Sequence, residues 1–406
     1  MQDETADRRL IAALEFYDAE LDRVVDFWIK RCLDAEYGGY RTQISRRGVV
    51  FGEDKNVWAQ ARQCWTFAAL YNRIEARAEW LDAARLGRDF LVRHAWAGHG
   101  RWHYLLSRTG ELLDDSLSLA SDCNAMMALA EFAVATGCDD DQALIAETFD
   151  QFERRFGPPA VDQWHHFSLA PDRLWLAPFM LVAGMAPVLR PVLGAERIDP
   201  LAPKAIHTIT QTFARPAEQR VFEVLHLDGS PVDTPSGRRL NPGHALEASW
   251  FCLEEALRMG DTQTVDRCVE MVRWSFDLGH DPEYGGLFAF VDRDGGRPLG
   301  PETMNPWGDR WDDKLWWVQS ESLYALALAA SLAADAGLCD RFDQLSDFVQ
   351  RYQIDHEHGE WYESLHRSGE PRSALKGSWI KCIFHVTRNL MKMRLLRRSL
   401  TSEANA

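Results

Sequence analysis

No Cys-x-x-Cys pair occurs in the 406 residues, and the eight cysteines (32, 64, 123, 138, 252, 268, 339 and 382) are scattered, mostly inside helical patterns. That distribution excludes a disulfide framework and predicts separate buried thiols in a reducing compartment. Positive charge is also scarce. Forty-five Lys and Arg stand against 61 Asp and Glu, a net charge of −16, and no basic stripe offsets it, which argues against a nucleic-acid partner. The one basic cluster, Arg388 to Arg398, falls on the last predicted helix and suits its C-terminal end. A long uninterrupted apolar run is missing too. The longest, Leu174 to Leu189, is broken by Pro178, Gly184 and Pro187 and reads as a buried helix, not a membrane span. The first residues, Met-Gln-Asp-Glu-Thr-Ala-Asp, are acidic and lack an apolar core, so no signal peptide is expected and the chain is read as soluble and cytoplasmic. Gly98-His-Gly100 lacks the third glycine of a dinucleotide fingerprint, and no Walker-type loop is present.

What the chain does have is a recurring motif: an acidic, glycine-containing turn followed by a small strand-turn-strand. Asp34-Ala-Glu-Tyr-Gly-Gly-Tyr, Gly98-His-Gly-Arg-Trp-His-Tyr, Arg220-Val-Phe-Glu-Val-Leu-His-Leu-Asp-Gly, Asp281-Pro-Glu-Tyr-Gly-Gly-Leu-Phe and His356-Glu-His-Gly-Glu-Trp-Tyr are copies. From 34 to 98 is 64 residues, and from 217 to 281 is again 64. A degenerate copy, Phe156-Gly-Pro-Pro-Ala-Val-Asp-Gln-Trp, fills the gap and brings the count to six. Two helical patterns fit in each unit, over 8–33, 56–75, 78–95, 118–137, 141–156, 172–186, 198–214, 243–259, 262–279, 312–336, 338–354 and 378–398. Six helix pairs predict an all-α fold, an (α/α)6 barrel of twelve helices with short β-hairpins at one rim, closed on itself as a single catalytic domain over 1–406. The even helices are the more apolar and are expected inside, as in Ser322-Leu-Tyr-Ala-Leu-Ala-Leu-Ala-Ala.

Polar residues collect where the inner helices begin. Asn241-Pro-Gly forms a turn, and the helix that follows carries His244 in its first turn with Glu247 on the same face. The positive end of the helix dipole there favours a neutral imidazole, the form a general base needs. The second helix holds Trp58, Arg62 and Trp65 on one face; the tenth holds Lys314, Trp317 and Glu321; the twelfth holds His385 and Arg388. Taken singly, each has a structural explanation, such as an arginine paired to a buried acid or a satisfied core histidine. Four inner helices with polar residues at one depth are better explained by a shared cavity, which some of the 16 tryptophans can line with flat faces.

Val57-Trp-Ala-Gln-Ala-Arg-Gln-Cys-Trp, Asn241-Pro-Gly-His-Ala-Leu-Glu-Ala-Ser-Trp-Phe, Lys314-Leu-Trp-Trp-Val-Gln-Ser-Glu and His358-Gly-Glu-Trp-Tyr with Phe384-His-Val-Thr-Arg resemble the N-acylglucosamine 2-epimerases, also called renin-binding proteins. The resemblance runs in order from about residue 20 to 395. It implies interconversion of N-acylglucosamine and N-acylmannosamine through an enediolate, with His244 and His385 exchanging the proton at C2. It places Arg62, Glu247, Glu321 and Arg388 around the sugar, beside Trp58 and Trp317. It implies a small-molecule sugar substrate and leaves room for a homodimer and a nucleotide effector. The chemistry suits the residues: two bases that cycle near neutrality serve the two faces of C2, Arg62 or Arg388 can stabilise the enediolate oxygen, Glu247 can orient His244, and Glu321 can tune His385. Neither a metal nor another cofactor is required.

The sixth predicted helix, which opens with Asp172-Arg-Leu-Trp-Leu-Ala-Pro-Phe-Met, lacks a histidine that some carbohydrate epimerases and isomerases of the wider superfamily carry, which tilts the reading toward acylhexosamines. The stretch Met304-Asn-Pro-Trp-Gly-Asp-Arg-Trp-Asp-Asp looks longer than in the acylglucosamine enzymes and leads into the tenth helix. A mannose isomerase or mannose 2-epimerase on the same barrel is the nearest alternative, and a non-catalytic sugar- or protein-binding barrel is another. A glycoside hydrolase would need two flanking carboxylates, and Asp281 with Glu283 belong to the repeated turn instead. His356-x-His358-x-Glu360 has strand spacing for a metal but lies in a hairpin copy.

Overall fold

A computed structural model describes residues 2–156, 163–164, 167–168, 172–300, 310–333 and 335–404. The long helices are α1 (Gln2–Ile29), α2 (Val57–Arg73), α3 (Ala78–Phe90), α4 (Leu119–Thr136), α5 (Gln142–Arg155), α6 (Leu176–Leu193), α7 (Ala202–Thr208), α8 (Pro242–Met259), α9 (Thr262–Gly279), α10 (Trp316–Ala333), α11 (Ala336–Phe348) and α12 (Phe384–Ala404). Three outer helices, α3, α7 and α11, run on into π-helical turns at Leu91–Ala95, Ile209–Phe213 and Val349–Gln353.

The even helices pack in sequence, α2 on α4, α4 on α6, α6 on α8, α8 on α10 and α10 on α12, and α12 closes on α2. The ring is therefore an (α/α)6 barrel, with each odd helix backing an even one. Sequence decides the layer. From Trp316 to Ala330 every residue of α10 is buried, as an inner helix enclosed on all sides must be. On α9 burial is confined to Cys268, Val269, Met271, Val272, Ser275, Phe276 and Gly279, the stripe of a helix with one face in water.

Several boundaries differ from the sequence expectation by a few residues, and two of the differences have a clear physical reason. The sixth helix begins at Leu176 because Arg173–Trp175 pairs as a strand with Val224–His226, and it runs through Pro187 and Pro191 to Leu193. Packing between α4 and α8 outweighs the hydrogen bonds those prolines remove. The same apolar helix is long enough to cross a membrane, but it is a member of the inner ring. The twelfth helix begins at Phe384, not 378, because Lys376 and Gly377 donate to the Ile44 carbonyl and Ser378 Oγ accepts from the amides of Ile380 and Lys381. Two one-turn helices, Ala195–Ile198 and Pro235–Arg238, were not expected.

The hairpins lie at the N-terminal ends of the inner helices. Strands just before α2, α6, α8 and α10 (Lys55–Asn56, Arg173–Trp175, Arg239–Leu240 and Lys314–Leu315) pair with the hairpin one unit further on. Backbone amides at the starts of α2, α6 and α10 also donate into those hairpins: Val57 to Tyr104, Leu176 to Glu223 and Trp316 to Glu363. In the degenerate copy Gln163–Trp164 pairs with Phe167–Ser168, while residues 157–162 lie outside the described residues.

The recurring acidic turn has a structural cause. Asp281 accepts from the backbone amide of Glu283, from Lys314 Nζ at 3.0 Å and from Arg367 Nε at 2.7 Å. Asp34 is held the same way by Lys55 and Arg108, and Asp355 by Lys376 and Arg46, so the last clasp joins the final unit to the first. Burial opposes the Asp281 charge, but Arg367 and Lys314 hold its pKa down to about 2. Lys314 is thus a clasp residue and not part of the cavity. Asp281→Ala would strand the fully buried Lys314 and should lower unfolding free energy in urea by about 3 kcal/mol or more.

Candidate active site

Asn241 caps α8 by accepting from the His244 amide at 3.1 Å, and Pro242 opens the helix. Gly243 is required by a close approach: a Cβ there would lie 2.8 Å from the ring of Trp317 and from the Val318 side chain. Trp317, in the first turn of α10, lies next to both histidines, with ring centroids 5.2 Å from His244 and 5.8 Å from His385.

His385 Nδ1 is 2.6 Å from Glu321 Oε1, and its Nε2 is 2.9 Å from Arg62 Nη1. A guanidinium N–H can only donate, so Nε2 carries the lone pair, Nδ1 carries the proton, and the ring is neutral. Burial and the Arg62 cation hold the His385 pKa well below the ordinary imidazole value. Arg62 Nε donates to Asn124 Oδ1 on α4 at 3.0 Å. Its guanidinium lies over Trp58 at 4.2 Å and Phe384 at 4.5 Å. Among the described residues its polar partners include no carboxylate, and burial pushes its pKa down to about 10.

Arg388 is placed differently. It donates to Glu247 Oε1 at 2.5 Å and to Glu321 Oε1 at 2.6 Å, and its charge is spent on them. Glu321 is the hub, accepting from His385, Arg388 and, on its other oxygen, Trp250 Nε1 at 2.9 Å. Glu247, Glu321 and His385 present atoms within 4.8 Å of one another, the spacing of a metal site, but Arg388 already bonds both carboxylates.

His244 does not turn to Glu247 as its helical spacing suggested. Its Nδ1 is 3.0 Å from Glu223 Oε2, on the hairpin between α7 and α8, while Glu247 faces Arg388. The direction expected for His244 from the helix end is also overridden. Burial opposes its charge and the helix end adds to that, but the Glu223 carboxylate outweighs both and raises the pKa above the ordinary value. His244 keeps 31 % of its side chain open, against 10 % for His385.

The structure therefore brings together Trp58, Arg62, His244, Glu247, Trp317, Glu321, His385 and Arg388 at one end of the inner ring, and adds Asn124, Glu223, Trp250 and Phe384. The hairpin triple does not converge. Glu360, at φ 58°, turns inward to Trp28 Nε1 and Lys381 Nζ, both at 2.6 Å, whereas His356 bonds the Gln350 carbonyl. Two histidines of opposite proton affinity, each on a carboxylate, with an arginine bonded to Asn124 and His385 between α2 and α12, can move protons at a carbon acid and stabilise the oxyanion.

The family model described as N-acylglucosamine 2-epimerase (GlcNAc 2-epimerase) matches residues 38–388. An N-acylglucosamine 2-epimerase of Mus musculus is 34% identical over 386 residues, covering 92% of this chain and 89% of that protein. A cellobiose 2-epimerase of Bacteroides fragilis is 24% identical over 385 residues, 89% of this chain and 93% of its own. A solved D-mannose isomerase shares the fold with a TM-score of 0.80 at 20% identity, over 94% of this chain and 97% of its own. With its motifs, closed barrel and polar cluster in place, the chain belongs to the N-acylglucosamine 2-epimerase family and is a carbohydrate 2-epimerase.

Proposed function

We propose that the protein interconverts N-acylglucosamine and N-acylmannosamine by proton transfer at C2 of the open-chain sugar, with His385 and His244 as the two proton-transfer groups. The observation that carries this is the pair of imidazoles flanking Trp317, one held neutral by Arg62 and the other held toward its charged form by Glu223. His385 Nε2 takes the C2 proton from one epimer, Arg62 stabilises the enediolate oxygen, and His244 returns a proton to the opposite face. Arg62 is preferred to Arg388 because Arg388 is neutralised by two carboxylates. The whole chain acts as one catalytic domain, since the ring closes α12 on α2 and Arg62 from the first half meets His385 from the second. All eight cysteines are unpaired thiols, which suits a cytoplasmic enzyme.

The test is to supply N-acetylmannosamine, N-acetylglucosamine, mannose and fructose separately and identify the products by NMR. Formation of the C2 epimer of the acylated sugars is expected; ketose from mannose alone would move the activity to an isomerase, and no turnover would leave a binding protein.

The tight seat of Gly243 gives a further expectation. Gly243→Ala forces Trp317 or Val318 away by tenths of an ångström to relieve a 2.8 Å contact. Misplacing the surface between the two bases should lower kcat by on the order of tenfold or more with the fold intact by circular dichroism. Normal turnover would mean Trp317 does not set the spacing.

A further inference from the structure

Glu223 occupies a defined register position. In five hairpins an amide closes back on the preceding outer helix or its end: Arg41 to Cys32, His103 to Ala95, Phe222 to Phe213, Phe288 to Gly279 and Tyr362 to Gln353. The next residue is Thr42, Tyr104, Glu223, Ala289 and Glu363 in turn. Two of these are acids, and they are used differently. Glu363 accepts from Ser373 and Ser378 hydroxyls. The Glu223 carboxylate has one polar partner among the described residues, His244 Nδ1, and its other oxygen is buried with none.

A largely buried carboxylate needs a compensating charge. Among the described residues no Lys or Arg pairs with it, and the two arginines of the site are committed elsewhere: Arg388 to Glu247 and Glu321, and Arg62 to Asn124 and His385. The charged groups around His244 are Glu223 from the hairpin, Glu247 from its own helix and Glu321 from α10, with His385 and Arg388 on α12 and Arg62 on α2 behind them. Among the described residues, His244 is the partner whose charged form neutralises Glu223. At His385 the opposite holds, because Glu321 is already shared with Arg388 and Arg62 can only donate to Nε2.

We infer that Glu223 is a positioning residue of the reaction. It fixes His244 with Nδ1–H toward the hairpin and Nε2 toward the cavity, and it holds on His244 the transferable proton of the resting site. The resting enzyme is then poised for the epimer whose C2 hydrogen faces His385. After inversion the proton sits on His385, beside Arg62, and must return to His244 before the same direction can run again. This rests on the two-histidine reading, which names the bases but not the residue that makes them unequal.

The test is the pH dependence of kcat/KM for N-acetylmannosamine with the wild type, Glu223→Gln and Glu223→Asp. The basic limb of the wild-type profile reports loss of the His244 proton from the free enzyme. Glu223→Gln should move that limb down by at least about one pH unit, so activity near pH 8 falls on the order of tenfold further than activity near pH 6. Glu223→Asp should keep the limb and lower only the plateau. A purely structural role would lower activity equally at all pH values, and that result, or an unmoved limb, overturns the inference while leaving two-histidine transfer standing. Should Glu223→Gln fail to fold, 15N NMR of the histidine rings in the wild-type protein near pH 7 decides. Both ring nitrogens of His244 protonated and only Nδ1 of His385 protonated is expected; the reverse assignment overturns it. That spectrum needs no turnover, so it separates failure of this inference from failure of the proposed reaction.

Discussion

His244→Asn and His385→Asn are each expected to abolish net epimerisation, a loss on the order of 10³-fold or more, with the fold unchanged. Inversion needs a proton lost on one face of C2 and gained on the other, and Asn can do neither. Each mutant should nevertheless keep half of the chemistry. The surviving histidine can remove and return a hydrogen on its own face, so in heavy water each mutant washes label into only one epimer. The two mutants should differ in which one, because the two imidazoles lie on different inner helices, α8 and α12, with Trp317 between them. The residual exchange in the His385 mutant should also be the slower at neutral pH, since His244 is held toward its protonated form by Glu223. Exchange of the same epimer by both mutants, measured as loss of the C2 proton signal, would reject the pairing.

Arg62→Ala is expected to lower kcat and kcat/KM together, by on the order of 10²-fold or more. The size follows from what surrounds the guanidinium. It is buried between Trp58 and Phe384 and among the described residues bonds no carboxylate, so its field acts on whatever charge develops in the cavity. The mutation also removes the donor on His385 Nε2, which raises that histidine's proton affinity, so the acidic limb of the rate profile should move to higher pH. Arg388→Ala differs in kind: it would leave Glu247 and Glu321 facing each other without their shared cation and should cost stability as well as activity. Near-normal turnover in Arg62→Ala would remove it from the mechanism.

Much of this architecture was legible from periodicity. The 64-residue spacing of the acidic turn fixed the number of units, and the contrast between α10, apolar on all sides, and α9, apolar on a stripe, fixed the layers. The inner-helix residues were legible for the same reason: polar groups at i, i+3 and i+4 in otherwise apolar helices are conspicuous. Glu223 was not, because it lies in a hairpin where one acid among alternating residues carries no signal. Its position became informative only when backbone hydrogen bonds aligned it with Thr42, Tyr104, Ala289 and Glu363. The i+3 rule pointed His244 to Glu247, and tertiary charge overrode it: Arg388 from α12 took Glu247 first. Lys314 shared a face with Trp317 and Glu321 by spacing, yet it precedes the helix in a strand and is claimed by Asp281. Local spacing says which residues are neighbours on one element; it is silent on which partner arrives from another.

The central claim, that separate bases serve the two faces of C2, is tested most directly by the first turnovers of the wild-type enzyme in heavy water. N-acetylmannosamine is mixed with enzyme in deuterium oxide and both epimers are followed by NMR before equilibrium is approached. With His385 taking the proton and His244, already exchanged with solvent, supplying another, the N-acetylglucosamine formed should carry deuterium at C2 while the remaining N-acetylmannosamine keeps its original hydrogen. Product that retains the substrate's own hydrogen at C2 would mean that one group carried it across, and would contradict the account.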